Sequence, residues 1–211
     1  MDEPVGLRER KKARTRAAIS EAAIALFLER GYDAVSVVEI AAAAEVSKRT
    51  LFAYFPTKEE LVLHRFADHE AEPARVVRDR APGEAPLAAL HRHRVAGLRA
   101  RDPITGLCDV PAVVAFYRMV LDSPSLAAAL SGYVRRGADA LAAALHEAAP
   151  AAGPLAARLA AAQVIAVQQA LGDAVQARIM AGATADATAP DALAETDLAF
   201  AQLVDGLSAY R

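Results

Sequence analysis

Apolar residues recur along this chain at helical spacing. Near the N-terminus, Ile19, Ala23, Leu26 and Phe27 form a single apolar stripe, which predicts an amphipathic first helix. Gly31 follows, and glycine is typical just beyond a helix end. The sequence has no clear alternating run of Val, Ile and Thr, and alanine supplies much of its hydrophobic content. The chain is therefore predicted to be all-α.

Two short helices are predicted in succession after this stripe. Ser36 and Glu39 have the spacing of a capping box at the start of a helix over Val37–Ala44. Ser47 is a suitable N-cap for the next helix, and Glu45–Ser47 connects the two. The order helix, tight turn, helix is typical of a helix-turn-helix motif.

The helix that Ser47 begins has two kinds of face. Leu51 and Phe55 lie one turn apart and are predicted to be core residues. The other positions present cations, a hydroxyl and aromatic rings, which suit a phosphate backbone and base edges. The predicted DNA contacts on this helix are Lys48, Arg49, Thr50, Phe52 and Tyr54.

A fourth helix is predicted from Thr57 to about Arg80. Thr57 and Glu60 have capping-box spacing. Lys58 lies at the helix start, where the helix dipole does not favour a cation and a bound phosphate would offset this. Beyond it, Pro and Gly positions separate further predicted helices near 85–100, 110–122, 124–148, 154–181 and 191–209.

Positive charge is local in this sequence. The formal net charge is -2, yet residues 8 to 16 hold six Lys or Arg against one Glu. Such a run is either a solvated surface or an arm that contacts phosphates, and its position before the helix-turn-helix favours the arm, with Arg14 in it. Residues 1 to 7 are expected to be disordered.

The remaining bulk properties exclude several classes of protein. Cys108 is the single cysteine, which excludes an internal disulfide and a cysteine-based metal cluster. The charged N-terminus has no apolar core of a secretory signal. The apolar stretch Leu155–Met180 carries Arg158 and Asp173, so it is a poor membrane span. A cytoplasmic protein is expected.

Candidate ligand-binding residues lie in the second half of the chain. His91 and Arg94 interrupt an apolar stripe of Leu87, Leu90 and Leu98. Either they extend to solvent at the margin of the stripe, or they line a pocket for a ligand with an anionic group. Polar or aromatic residues on other apolar helices are also candidates, although ordinary core or surface roles explain each of them: Phe116, Tyr117, Tyr133 and Gln168.

A metal site is considered and set aside. His64, Asp68, His69 and Glu72 have spacings that place them on neighbouring helical turns. A charged, solvent-exposed face explains the same residues better, so no metal and no other cofactor is predicted.

The N-terminal motifs resemble the TetR family of bacterial transcriptional regulators, in order and spacing through residues 10 to 66. The matching residues are Ile40–Ala41, Val46–Ser47, Thr50–Phe55 and Lys58–Leu61. One departure is Glu45, where the family often has Gly. The resemblance implies a three-helix DNA-binding domain over residues 8–56, followed by a larger helical ligand-binding and dimerisation domain over 57–211. It also implies DNA contacts at Val37, Val38 and Lys58.

The function implied is that of a homodimeric, non-enzymatic regulator, paired through its last two long helices. In this family a small-molecule effector most often releases a repressor from a palindromic double-stranded DNA operator. Segment 121–126 is similar to the corresponding segment of family members that sense acyl-CoA-like ligands. A hydrophobic drug-like molecule or metabolite is an equally compatible effector. The rival is a non-catalytic helical protein-interaction module without specific DNA binding, which would leave the basic arm and the Lys-Arg-Thr helix unexplained.

Overall fold

The computed structural model describes residues 6–211, except for the side chains of residues 7–9 and 67–68. Within this range the chain forms ten α-helices and no β-strand, so the all-α prediction is confirmed. The helices are α1 (Leu7–Arg30), α2 (Val37–Ala43), α3 (Lys48–Tyr54), α4 (Glu60–Glu70), α5 (Glu72–Arg78), α6 (Pro86–Ala100), α7 (Pro111–Asp122), α8 (Pro124–Ala148), α9 (Pro154–Met180) and α10 (Ala185–Gly206). Most of the segment expected to be disordered, residues 1–5, lies outside the described residues.

The helices group into two compact units. The first contains the chain up to Arg65 together with Ala115–Ala129, and the second contains Phe66–Val114 and Leu130–Arg211. The boundaries fall inside α4, α7 and α8. The functional division predicted between residues 56 and 57 stays a prediction.

The core of the first unit joins α1, α2, α3 and the start of α4. Its largest side chains have at most 1% of their surface exposed, and each contributes about 1.5–3 kcal/mol by burial. Among them are Ile19, Phe27, Ile40, Leu51, Phe55 and Leu61. Leu51 and Phe55 are thus core residues, as predicted. The apolar face of α3 is fixed inward, which turns its polar face outward.

The first helix is longer than its apolar stripe. The basic run predicted to be an arm is helical, because α1 begins at Leu7. Arg14 lies on this helix with an exposed side chain. The predicted end is confirmed: Gly31 has φ +89°, and its N–H donates to the Phe27 carbonyl at 2.8 Å.

The prediction of one continuous fourth helix to Arg80 is wrong. The chain forms α4 and α5 with a break at Ala71, whose φ of -98° and ψ of 6° lie at the edge of the helical region. Pro73 explains the break, since proline lacks the N–H that would bond the carbonyl four residues earlier, and its ring clashes with that carbonyl. At the start of α4, the Glu60 N–H donates to Thr57 Oγ1 at 3.2 Å, as the capping prediction expects.

The predicted start of the last helix at residue 191 is also wrong. Gly182, with φ +96°, follows the end of α9. Thr184 then caps α10, its hydroxyl accepting the Ala187 N–H at 3.2 Å. Pro190 lies inside α10. A good cap outweighs the local cost of this proline in the second turn.

Two separate apolar clusters lie among the described residues of the second unit. The large apolar cluster includes Leu87 and Leu90 of α6, Leu141 and Leu145 of α8, Val164 of α9, and Phe200 and Leu203 of α10. The small apolar cluster consists of Leu98, Leu107, Val175, Ile179, Ala185 and Ala192. Helices α6, α9 and α10 therefore contribute to both clusters, at different levels along their length.

The end of α4 is held against α8. The Arg136 guanidinium donates to both carboxylate oxygens of Glu70, at 3.0 and 2.8 Å. A Cβ atom added at Gly137 would lie 2.7 Å from the Glu70 carbonyl oxygen. The absence of a side chain at Gly137 thus permits the close approach of the two helices.

In the part of the chain that the structure describes, no single helix is long and apolar enough to cross a membrane. Only α7 and α8 taken together, bent by 95°, reach the required length and composition.

Candidate nucleic-acid interface and candidate effector site

Helix α2 begins with the predicted capping box, which is confirmed. Ser36 Oγ accepts the Glu39 N–H at 3.3 Å, and Glu39 Oε2 accepts the Ser36 N–H at 2.8 Å. Arg30 pairs with the same carboxylate at 2.8 Å. The bonds from Ser36, with help from Arg30, lower the pKa of Glu39 to about 2. The end of α1 and the start of α2 are therefore tied together through one carboxylate.

The turn between α2 and α3 contains a strained residue. Glu45 has φ +53°, in the left-handed region that glycine adopts without steric cost. Its N–H donates to Ala42 O at 3.1 Å, and the Val46 N–H donates to Ala41 O at 2.9 Å. Two backbone hydrogen bonds thus hold the turn while Glu45 is in the left-handed conformation.

Helix α3 is capped and presents its cations to solvent. Ser47 Oγ accepts the Thr50 N–H at 3.0 Å, which fixes the first turn. Lys48 and Arg49 are exposed. Neither forms an ion pair with any described residue, although Lys48 Nζ lies 5.8 Å from the centroid of the Phe52 ring. An exposed pair of cations without carboxylates at a helix start is available to a polyanion.

The other predicted DNA contacts of this region differ in exposure. Val38 and Phe52 are exposed, whereas Val37, Thr50 and Tyr54 are half-buried. All five lie on α2 or α3 within the first unit. Their contacts with DNA stay predictions.

Lys58 is engaged within the protein. Its ammonium donates to the Tyr32 carbonyl at 2.6 Å and lies 4.3 Å from the Tyr32 ring centroid and 5.4 Å from that of Phe27. It therefore joins the start of α4 to the connection after α1. Its predicted phosphate contact stays a prediction, and any phosphate would share this ammonium with Tyr32.

His91 and Arg94 of α6 lie in different environments. His91 Nε2 is 2.7 Å from Asp197 Oδ1, and the His91 ring meets the edge of Phe200 with centroids 5.2 Å apart. Arg94 is only 8% exposed. Its Nε–H donates to Thr196 Oγ1 at 3.4 Å, and its Nη2 has no hydrogen-bond partner among the described residues. Burial lowers the pKa of Arg94 to about 10.

The other predicted ligand residues are distributed over both units. Phe116 and Tyr117 belong to the first unit, with ring centroids 6.0 Å apart and the Arg65 guanidinium 5.7 Å from the Phe116 ring. Tyr133 lies in the second unit beneath Arg136, at 4.5 Å. Gln168 is a half-buried residue of α9 in the same unit. Their ligand contacts stay predictions.

The sequence interpretation missed Thr196, the partner of Arg94. Its side chain is fully buried, and its hydroxyl donates to the Ala192 carbonyl at 2.8 Å. Ala192, Thr196 and Phe200 follow one another at single-turn spacing on α10. A hydroxyl within that apolar stripe was the available signal.

The histidines considered for a metal take other roles. His64 Nδ1 lies 3.1 Å from Ser20 Oγ. Glu72 lies between His93 and His69, at 3.4 and 2.7 Å, and these two rings lower its pKa to about 2. Among the residues whose side chains are described, which do not include Asp68, no group of three suitable ligands could hold a metal ion.

Comparison with protein families gives a match at the N-terminal part of the chain. Residues 19–64 match the profile described as bacterial regulatory proteins, tetR family. This range covers the second half of α1, all of α2 and α3, and the start of α4, which is the region that holds the capped turn and the exposed cations.

A curated relative extends the similarity. The HTH-type transcriptional regulator TcmR of Streptomyces glaucescens is 37% identical over 132 residues, which are 62% of this chain and 57% of TcmR. The chain thus spans little more than half the length of this relative.

Solved structures share the fold over nearly the whole chain. A protein from Mesorhizobium loti assigned to the TetR family superposes with a TM-score of 0.59 at 19% identity, covering 92% of this chain and 96% of that one. NalD, the secondary repressor of the MexAB-OprM multidrug efflux pump in Pseudomonas aeruginosa, gives 0.57 at 18% identity, covering 89% and 97%. At this identity the similarity concerns the fold.

Proposed function

This chain belongs to the TetR family, and from that premise we propose that it is a transcriptional repressor that a small-molecule effector releases from a palindromic operator. The observation that supports this most directly is the N-terminal turn of α3, where Ser47 caps the helix and Lys48 and Arg49 face solvent with no carboxylate partner among the described residues. Cations held in a fixed geometry on a helix of a helix-turn-helix can contact phosphates and base edges of the major groove.

We propose that the active form is a homodimer paired through α9 and α10. Leu155 and Leu159 of α9 and Leu198 of α10 are each more than half exposed. Between and around them both helices present many alanines, which permit close helix packing. Covering these leucines would remove apolar surface from water. A dimer is also what a palindrome requires, since its two half-sites lie about 34 Å apart.

In the proposed release of DNA, α4 transmits the effect of the bound ligand to the DNA-binding helices. This helix starts in the first unit and ends in the second, where Glu70 is bonded to Arg136 of α8. An effector that favours a different position of α8 would move the end of α4 with it. It can shift the equilibrium only by its difference in affinity between the two states.

The rival function is a helical interaction module without specific DNA binding. It accounts for the apolar faces of α9 and α10 but gives no role to the exposed cations of α3. Catalysis is no part of the proposal. Because the operator is chromosomal DNA, we place the protein in the cytoplasm.

Fluorescence anisotropy tests the proposal. Duplex DNA from upstream of the protein's own gene and a scrambled duplex are titrated at low and high salt. We expect tight, sequence-selective binding that weakens with salt, because each neutralised phosphate releases counterions. Absence of binding to every duplex at low salt would leave the helical interaction module as the better explanation.

A further inference from the structure

Arg94 differs from the other arginines of the second unit. Five of them pair with carboxylates, and each of the five side chains is at least 34% exposed. They are Arg78, Arg92, Arg101, Arg136 and Arg178. Arg94 is 8% exposed and has no carboxylate partner among the described residues. The buried guanidinium, which most needs a counterion, therefore has none among the described residues.

The Arg94 guanidinium has a hydrogen-bond donor that no described residue accepts from. Its Nε–H reaches Thr196 Oγ1 at 3.4 Å, which is long, and its buried Nη2 donates to no described residue. A guanidinium can donate in a planar fork to two oxygens of one anion. The Thr196 hydroxyl donates to the Ala192 carbonyl, so its oxygen accepts from Arg94.

Apolar groups lie on both sides of this polar pair along the helices. On α6, Arg94 lies one turn from Leu90 of the large apolar cluster and one turn from Leu98 of the small one. On α10, Thr196 is likewise one turn from Phe200 and from Ala192. A ligand at this level would meet one cationic fork between two apolar surfaces.

The neighbouring histidine does not share this role. His91 is paired with Asp197, whose side chain is 67% exposed. That carboxylate is thus directed to His91 at the protein surface, and Arg94 keeps its positive charge for another partner.

We propose that Arg94, positioned by Thr196, forms the binding site for a singly charged oxyanion, such as a carboxylate or phenolate, carried by an otherwise apolar small molecule. The inference rests on the proposed effector response and specifies its ligand chemistry. The anion would accept from the Arg94 guanidinium, and the apolar part would contact side chains of the two clusters.

Calorimetric titration with two matched pairs of probes tests this site. Octanoate is compared with octanamide, and naphthoate with naphthamide, on the wild-type protein, on Arg94→Gln and on Arg99→Gln. Arg99 is an exposed arginine of the same helix and serves as the control. If Arg94→Gln does not fold, as judged by circular dichroism, Arg94→Met takes its place.

We expect at least one carboxylate to bind the wild type and Arg99→Gln more tightly than its amide does. Loss of charge-assisted hydrogen bonds in Arg94→Gln should weaken that carboxylate at least about tenfold and leave the amide unchanged. Equal binding of carboxylate and amide, equal binding to the Arg94 variant, or no carboxylate binding at about millimolar concentration, a Kd that corresponds to very weak affinity, would each overturn the site.

Measuring DNA binding with the same protein preparations distinguishes failure of the anion-site proposal from failure of the repressor proposal. A wild type that binds the operator and ignores the carboxylates disproves the anion site alone. A wild type that binds carboxylates through Arg94 but no duplex disproves the repressor function alone.

Discussion

The positive charges of α3 and the positive charge of Arg94 are placed in opposite ways. Lys48 and Arg49 are exposed, on a capped helix whose apolar face is buried. Arg94 is buried between two apolar clusters and reaches one hydroxyl. All three lack a carboxylate partner among the described residues, so the difference is one of solvent access.

Solvent access decides which anion each site suits. Exposed cations interact weakly with any single charge, because water and salt screen them, but they add up along a polyanion that releases counterions. A buried cation interacts strongly with one anion of the right shape and is poorly reached by salt. The first arrangement suits DNA and the second suits a small ligand.

The largest effect is expected from the double variant Lys48→Ala/Arg49→Ala. Losing two charged contacts should weaken operator binding by about a hundredfold and make the salt dependence of binding shallower. Because both side chains are exposed, the free energy of unfolding should change little. Anisotropy and urea denaturation measure both quantities, with Arg99→Ala as the control. Wild-type affinity in the double variant would show that α3 does not contact DNA.

Arg94→Met should raise the free energy of unfolding by about 1 kcal/mol or more in the absence of ligand. The change removes a buried charge without a counterion and keeps an unbranched apolar side chain. Urea denaturation measures the shift. A lower stability would mean that Arg94 is already satisfied within the chain, and the contrast with α3 would then fail.

Ser47→Ala should cost about 1 kcal/mol of stability by removing the cap of α3. It should also weaken operator binding, although it removes no charge, because the cations would lose their fixed position. Ser47→Asn, which keeps a capping side chain, should retain most of both. Undiminished operator binding by Ser47→Ala would show that charge alone is enough.

Glu45→Gly should stabilise the protein slightly, by about 0.5 kcal/mol, since glycine has no steric cost at positive φ but loses more entropy on folding. The measurement is the midpoint of thermal unfolding, with Glu21→Gly, at an exposed position in the interior of α1, as a destabilising contrast. A decrease in stability at residue 45 would mean that the Glu45 side chain stabilises the turn.

The smallest effect concerns how stability changes with pH, and this change occurs only in acid. The pKa of Glu39 is lowered from 4.5 to about 2 in the folded chain, so its stabilising contribution is present above pH 4.5 and is lost as the pH falls toward 2. Glu39→Gln should therefore show a flatter decline of stability over that range. Parallel declines in the two proteins would place the acid sensitivity at other carboxylates.

Features with local causes were predictable from the sequence. The capping box at Ser36 and Glu39, the Ser47 cap and the core positions Leu51 and Phe55 depend on residues within a few turns of one another, and all four are present in the structure. The helix-turn-helix was therefore predictable nearly residue by residue.

Features that depend on competing local effects or on distant residues were not predictable from the sequence. The interruption at Ala71 follows from Pro73, which the sequence interpretation passed over, and the early start of α10 follows from a Thr184 cap that tolerates Pro190. The engagement of Lys58 by Tyr32 and the pairing of Arg94 with Thr196 join segments far apart in sequence. Spacing alone could show that Arg94 interrupts an apolar stripe, but not that it is buried.

The contact between Gly137 and the Glu70 carbonyl has a genetic consequence. A library that randomises position 137 should return glycine almost alone among stable clones, because every other side chain places a Cβ atom only 2.7 Å from the backbone carbonyl oxygen of Glu70. A neighbouring library at Arg136 should tolerate more variety, since its exposed ion pair with Glu70 contributes little to stability. Adjacent codons would thus differ sharply in their freedom to vary.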